Sequence, residues 1–87
     1  MQDDSALEFP CEFPIKAMGR AADNFDAVVV GIIRKHTPDF SDSTVKSRLS
    51  KSGNYVSITV TINARSREQL DNIYLDLTAN DLVLVAL

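Results

Sequence analysis

The run Tyr55–Ala64 constrains this chain more than any other segment. Val56, Ile58, Val60, Ile62 and Ala64 alternate there with Tyr55, Ser57, Thr59, Thr61 and Asn63. A period of two places the aliphatic side chains on one face of a strand and the polar ones on the other. Upstream, Val45, Ser47 and Leu49 alternate with Lys46, Arg48 and Ser50 in a weaker pattern of the same kind, and Ser52-Gly53-Asn54 reads as the turn between the two. A two-residue Gly53-Asn54 turn sets Leu49 opposite Ile58 and Val45 opposite Ile62, so that all four share one face. Lys46, Arg48, Thr59 and Thr61 fall on the other. A turn one residue longer would break that match unless a bulge corrected it.

The rest of the chain supplies what this hairpin needs. Phe13, Ile15 and Ala17 alternate with Pro14, Lys16 and Met18, a strand over 13–19 that Gly19 closes. Pro14 has no amide to donate, so it is expected near the strand's start with its neighbour unpaired. Phe25, Val28, Val29, Ile32 and Ile33 recur at helical spacing. Asp23 is the expected N-cap of that helix, Asp26 adds negative charge to its first turn, and Arg34, Lys35 and His36 add positive charge to its last. Thr37-Pro38 ends it, because the residue before a proline avoids helical geometry. The valines and isoleucines have modest helix propensity, so packing must hold this helix together. Ser66 followed by Gln69 is a capping box. It opens a second helix with the stripe Leu70, Ile73, Tyr74 and Leu77, and residues 82–87 close the chain as an apolar strand.

The order β-α-β-β-α-β with right-handed crossovers predicts an α+β, ferredoxin-like sandwich. Its four-stranded antiparallel sheet would have the order 4-1-3-2, with both helices on one face and the other face open. Eighty-seven residues suffice for one such two-layer core. Residues 1–8 read as a flexible, acidic tail and 9–87 as a single domain.

These residues also resemble a known family, the YbeD-like small bacterial proteins. The resemblance runs from Phe9 to Leu87. Phe9-Pro10, Phe13, Lys16 and Met18-Gly19 carry it first, followed by His36-Thr37-Pro38, Gly53-Asn54-Tyr55 with Ser57, Thr61-Ile62-Asn63-Ala64, and Glu68-Gln69 with Tyr74 and Leu77. It implies the same ferredoxin-like fold, similar to the ACT-type regulatory domains that bind small molecules. Those domains carry a Pro-Gly turn ahead of the first helix, where this chain has Gly19-Arg20-Ala21-Ala22-Asp23.

Composition narrows function by exclusion. A net charge of −3 is the wrong sign for broad binding to nucleic acid. The lone Cys11 rules out an intramolecular disulfide and a zinc site of paired thiolates, and reads as a small apolar residue. His36 is the only histidine and reads as a cation favoured by the helix C-terminus. Asp3, Asp4, Asp39 and Asp42 read as solvated loop carboxylates. No enzyme activity, catalytic residue, cofactor or metal is expected. The first residues have no basic stretch followed by an apolar run, and no segment reaches the ~20 apolar residues of a membrane span; a cytoplasmic location is expected.

What remains is a small regulatory or interaction module. Its partner would be a protein, such as a metabolic enzyme it docks on, or a small metabolite. The alternative is an RNA-binding domain using Lys16, Lys46 and Arg48 with Tyr55 on the open sheet face. A second candidate is the exit from the first strand, where Met18, Gly19 and Arg20 lead to the helix start and its backbone donors could meet an anion. The last strand is apolar on both faces, without the charges, proline or bulge that normally blunt an edge. Either the segment at Phe9-Pro10 shields it or it pairs with another molecule, a weak homodimer being the expected form.

Overall fold

A computed structural model describes residues 8–21, 24–39, 41 and 44–87. Its elements are β1 (Cys11–Arg20), α1 (Phe25–His36), β2 (Val45–Leu49), β3 (Tyr55–Ala64), α2 (Arg67–Ala79) and β4 (Val85–Ala86). The sheet has the order β2-β3-β1-β4 with every pair antiparallel, the expected ferredoxin-like arrangement. The tail expected over 1–8 lies outside the described residues except for Glu8, which is exposed.

The two longest strands form the centre. β1 and β3 pair along their whole lengths, from Cys11 opposite Ala64 to Arg20 opposite Tyr55. Their alternation delivers Ile15, Ala17, Ile58, Val60, Ile62 and Ala64 to one side, where they are buried with Phe25, Val29, Ile32 and Ile33 of α1 and Leu70, Ile73 and Leu77 of α2. Each fully buried Ile or Leu is worth about 2 kcal/mol of transfer free energy, which is how helices of modest intrinsic propensity are held.

The strand that was expected to end at Gly19 continues through Arg20, and Ala21 extends the contact by donating its amide to the Asn54 carbonyl at 2.9 Å. Pro14 pairs with Thr61 inside the strand rather than at its start. Lys16 exchanges both backbone bonds with Leu87, at 3.0 and 2.7 Å. Pro14, two residues before, therefore turns its nitrogen to the same side, beyond the last pair that β4 makes.

The hairpin between β2 and β3 differs in register from expectation. Val45 lies opposite Val60 and Leu49 opposite Val56. The loop is two residues longer than Gly53-Asn54: the Ser50 amide donates to the Tyr55 carbonyl at 2.8 Å, leaving residues 51–54 as the loop. Serine side chains build it. Ser50 Oγ accepts from the Tyr55 amide and Ser52 Oγ from the Asn54 amide, while Gly53 takes a left-handed φ of 79°. A shift of two preserves which residues share a face, so the division of side chains between the faces stands.

Helix ends follow local chemistry. Ser66 Oγ accepts from the Gln69 amide at 3.1 Å, the first bond of the expected capping box; Gln69 Oε1 reaches back one residue further than the box requires and accepts from the Arg65 amide at 2.7 Å. At α1 the N-cap position is Asn24, whose side chain makes no capping bond; Asp23 lies outside the described residues. Asp26 is in the first turn, Arg34, Lys35 and His36 in the last, and Thr37 is the C-cap.

The final strand is much shorter than 82–87. Asn80 winds the chain into a turn, its Oδ1 accepting from the Leu82 amide at 2.9 Å and its carbonyl from the Val83 amide at 3.0 Å. Val83 is buried, Val85–Ala86 lies opposite Met18 and Ala17, and the bonds to β1 run only from the Leu84 amide, which donates to the Met18 carbonyl at 2.8 Å, to Leu87. The Tyr74 hydroxyl donates to the Leu87 carbonyl at 2.7 Å, and burial pushes its pKa upward, so it remains a neutral donor. Phe9 packs against the core beyond the Cys11 end of β1, about 20 Å of strand from Ala17, so it is not what shields β4.

One consequence of the layering was not expected. α1 and α2 pack on β1 and β3, and α2 reaches β4, but β2 lies outside the main contacts of the helix layer. Leu49, whose pattern assigned it to a covered face, is 59% exposed.

Candidate functional site

The open face of the sheet collects most of the residues singled out above. The strand registers set them in rows. Lys46, Thr59 and Lys16 lie side by side across β2, β3 and β1, and Arg48, Ser57, Met18 and Val85 form the next row across all four strands. Tyr55 and Arg20 face one another in the row beyond. Adjacent strands are about 4.8 Å apart, so Lys46 and Lys16 flank the Thr59 hydroxyl with their backbones about 10 Å apart.

Charge on this face is one-sided. Lys16, Arg20, Lys46 and Arg48 are exposed, and none of them forms an ion pair with a described residue. Among the described strand residues the one carboxylate on this face is Glu12, four residues from Lys16 along β1, about 13 Å, beyond the reach of an ion pair; Asp39 joins it at that end, beside Thr61 and Asn63. On the helices, by contrast, charges of both signs meet: Arg67 approaches Asp71 at 3.9 Å and Lys35 approaches Asp76 at 3.7 Å. A chain of net charge −3 thus carries a sheet face whose local charge is positive.

Two shallow depressions adjoin the cations of the face. One, of about 380 Å³, is bounded by Lys16, Lys46, Arg48, Ser57 and Thr59. The other, of about 200 Å³, lies between Met18, Arg48, Tyr55 and Ser57. They share Arg48 and Ser57 and so adjoin along the second row. Ser57 was not among the expected site residues, although its place in the alternation puts it on this face.

The exit from β1 is built differently from the expectation. Gly19 faces the helix layer and is buried; a Cβ there would collide with the Phe25 ring and the Leu82 carbonyl oxygen. The absence of a side chain thus serves close packing. Met18, Gly19 and Arg20 are all strand residues, Ala21 has spent its amide on Asn54, and the Ala27 amide in the first turn of α1 donates to Asp26 at 2.8 Å.

His36 lies at the end of α1 as expected, with a partner that periodicity could not reveal. Its Nε2 is 2.6 Å from Asp76 Oδ2 on α2, and its carbonyl accepts from Gln69 Nε2 at 2.9 Å. The hydrogen bond from His36, with Lys35 beside it, holds the Asp76 carboxyl below the usual carboxylate range, although its side chain is 42% exposed. A depressed folded-state value stabilises the fold above the unfolded value of about 3.9 and is lost as pH falls through the lowered one. Asp76→Asn should therefore lower the melting temperature near neutral pH, and its difference from wild type should shrink as pH falls through the acidic range and disappear once the folded-state carboxyl is protonated. Paired thermal melts across that range check this; a difference independent of pH would contradict it.

Cys11 is half-buried opposite Ala64. Among the described residues no three His, Cys, Asp or Glu side chains converge as a metal site would require, and no helix is long and apolar enough to cross a membrane.

Comparison with known proteins gives concordant results. A family model described as protein of unknown function (DUF493) matches residues 4–87. The UPF0250 protein NE1487 of Nitrosomonas europaea is 46% identical over 74 residues, 85% of each chain. A UPF0250 protein of Paraburkholderia phytofirmans is 45% identical over 85 residues, covering 98% of this chain and 96% of its own. Among solved structures, the solution structure of protein HP0495 from H. pylori superposes with a TM-score of 0.70 at 17% identity, covering 100% of this chain and 94% of that one. That likeness concerns the fold.

Proposed function

Since the chain belongs to the DUF493 family of proteins of unknown function, we propose a role from its geometry: a non-enzymatic interaction module that docks an acidic protein partner on its open sheet face. The observation that carries this reading is the set Lys16, Lys46 and Arg48, cations on one face that no described carboxylate neutralises. Unpaired charges of one sign steer an oppositely charged partner and fix how it lands. A protein partner fits the shape better than a metabolite does. Small-molecule sites enclose most of their ligand, and the depressions here are shallow and continuous with the surface. RNA is the second reading, and the lone Tyr55 counts against it, because RNA-binding sheets stack successive bases on several aromatics.

The test uses two baits, the wild-type domain and Lys46→Glu/Arg48→Glu. Both residues are exposed at the sheet's outer strand, so the double variant should fold. A protein retained by the first is then purified and titrated against both. It should bind the variant about a hundredfold more weakly, two like-charge contacts costing several kcal/mol, and salt should weaken the wild-type complex. A retained set indifferent to the charge reversal sinks the docking reading; RNA as the retained species transfers it to the nucleic-acid alternative.

A further inference from the structure

The outer strand β2 carries more than two of the face's cations. Ser50 turns its amide to Tyr55 of β3. In an antiparallel ladder the inward-pointing residues alternate, so Arg48 and Lys46 also direct their backbone groups to β3. Val45, Ser47 and Leu49 therefore turn theirs outward, and no described residue bonds to the edge groups they present. Three amides and three carbonyls in a row form a template for a further strand. β4, at the opposite edge, is short, and its bonds to β1 run only from Leu84 to Leu87.

The side chains around this edge differ on its two sides. Towards the helices, a cleft of about 160 Å³ opens beside Leu49; Ala21, Phe25, Val56 and Ile58 make most of its lining, with Ser47 and Asp26 as its polar members. It is the gap left where the helix layer does not cover β2. Towards the open face stand Lys46 and Arg48. A strand added to β2 would place alternate side chains in two environments, one apolar and one positively charged.

The same cations exclude a second copy. Every antiparallel pairing of β2 with itself that joins two or more of the outward residues Val45, Ser47 and Leu49 sets Lys46 or Arg48 directly opposite Lys46 or Arg48 of the other copy, and like charges directly opposite are destabilising. An acidic strand turns that repulsion into attraction. We infer that β2 is a strand-addition site for an extended partner segment in which acidic residues alternate with apolar ones, pairing antiparallel. The inference rests on the docking reading above and specifies how the partner is held: its apolar side chains enter the Leu49 cleft, and its carboxylates meet Lys46 and Arg48. In that pairing the apolar residues stand opposite Val45, Ser47 and Leu49, and their amides are the ones that bond to β2.

A capped synthetic peptide of alternating Glu and Val, in three forms, tests this against the intact chain. The unmodified peptide should slow solvent exchange at the amides of Val45, Ser47 and Leu49 by about tenfold when bound. N-methylation of its valines should abolish the effect, whereas N-methylation of its glutamates, whose amides point away, should leave it intact. Ser47→Pro removes one outward amide and sets a ring at the edge while sparing the bonds that Lys46 and Arg48 make to β3. It should bind the unmodified peptide at least about tenfold more weakly with little change in melting temperature. Equal binding of both N-methylated forms overturns strand addition and leaves docking on the charged face standing. Absence of binding by any form also overturns strand addition, and the paired baits then judge the docking reading separately.

Discussion

Replacing Ile58 with Asp should abolish the cooperative thermal transition of the domain. Ile58 is 1% exposed and paired between Ala17 of β1 and Ser47 of β2, in a core whose members are all hydrophobic. Losing the side chain alone costs about 2–5 kcal/mol. The carboxylate adds the cost of burial without a partner, or of remaining protonated at neutral pH, about 1.4 kcal/mol for each unit its pKa must rise. A domain of this size has about 5–10 kcal/mol of stability in total, so the two losses together consume it. Differential scanning calorimetry should show no unfolding peak for Ile58→Asp, while Ile58→Val should remain cooperative with a loss of about 1 kcal/mol. A cooperative Ile58→Asp protein would contradict the placement of β3 in the core.

The second large effect is expected at Gly19. Its missing side chain lets the Phe25 ring and the Leu82 carbonyl oxygen approach the strand together. One of these obstacles is backbone, in the turn that leads to β4, and the other is a ring that is itself 1% exposed. Neither can step aside without opening the core or pulling the final segment off β1. Gly19→Ala should therefore cost about 3 kcal/mol, the upper part of the range for overpacking. In a domain of this length that lowers the melting temperature by about 15 °C. Gly31 provides the opposite sign. It lies exposed within α1 with open space where a Cβ would go, so Gly31→Ala should stabilise by about 0.5–1 kcal/mol through helix propensity. Equal effects of the two substitutions would remove the packing argument for Gly19.

Most of the architecture could be read from side-chain alternation, because a period of two reports faces directly. Ile58, Val60 and Ile62 declared the covered side of β3, and Lys16, Lys46 and Arg48 the open one. Register was less accessible. It depended on how Ser50 and Ser52 use their hydroxyls to take up backbone amides, which periodicity does not encode. The length of β4 was hidden for a similar reason: 82–87 is uniformly apolar, and the Asn80 side chain, not hydrophobicity, decides where the ladder begins. Leu49 shows a different limit. Alternation tells which way a residue points but not how far the opposing layer extends. The contact of His36 with Asp76 joins residues 40 apart and leaves no local trace in either helix.

For the candidate site the division is similar. The open-face cations were readable as a group, and the strand exit was not, since Gly19 reads equally well as a turn glycine or a packing glycine until its neighbours are known. The edge of β2 was invisible for the reason that exposed Leu49: both depend on where the helices stop.

The central ladder has a kinetic consequence. β1 and β3 pair residues from 35 to 53 positions apart, Arg20 with Tyr55 at one end and Cys11 with Ala64 at the other. The hairpin of β2 and β3 and the two helices can form early from neighbouring residues, but none of them owns a core. The core comes into being when β1 closes on β3, and the entropy of closing that loop is lost before most apolar burial is gained. The high contact order this imposes places the domain among the slower folders of its length. It also makes the meeting of β1 and β3 the natural seat of the transition state, so conservative substitutions at Ile15 and Val60 should slow folding more than they speed unfolding.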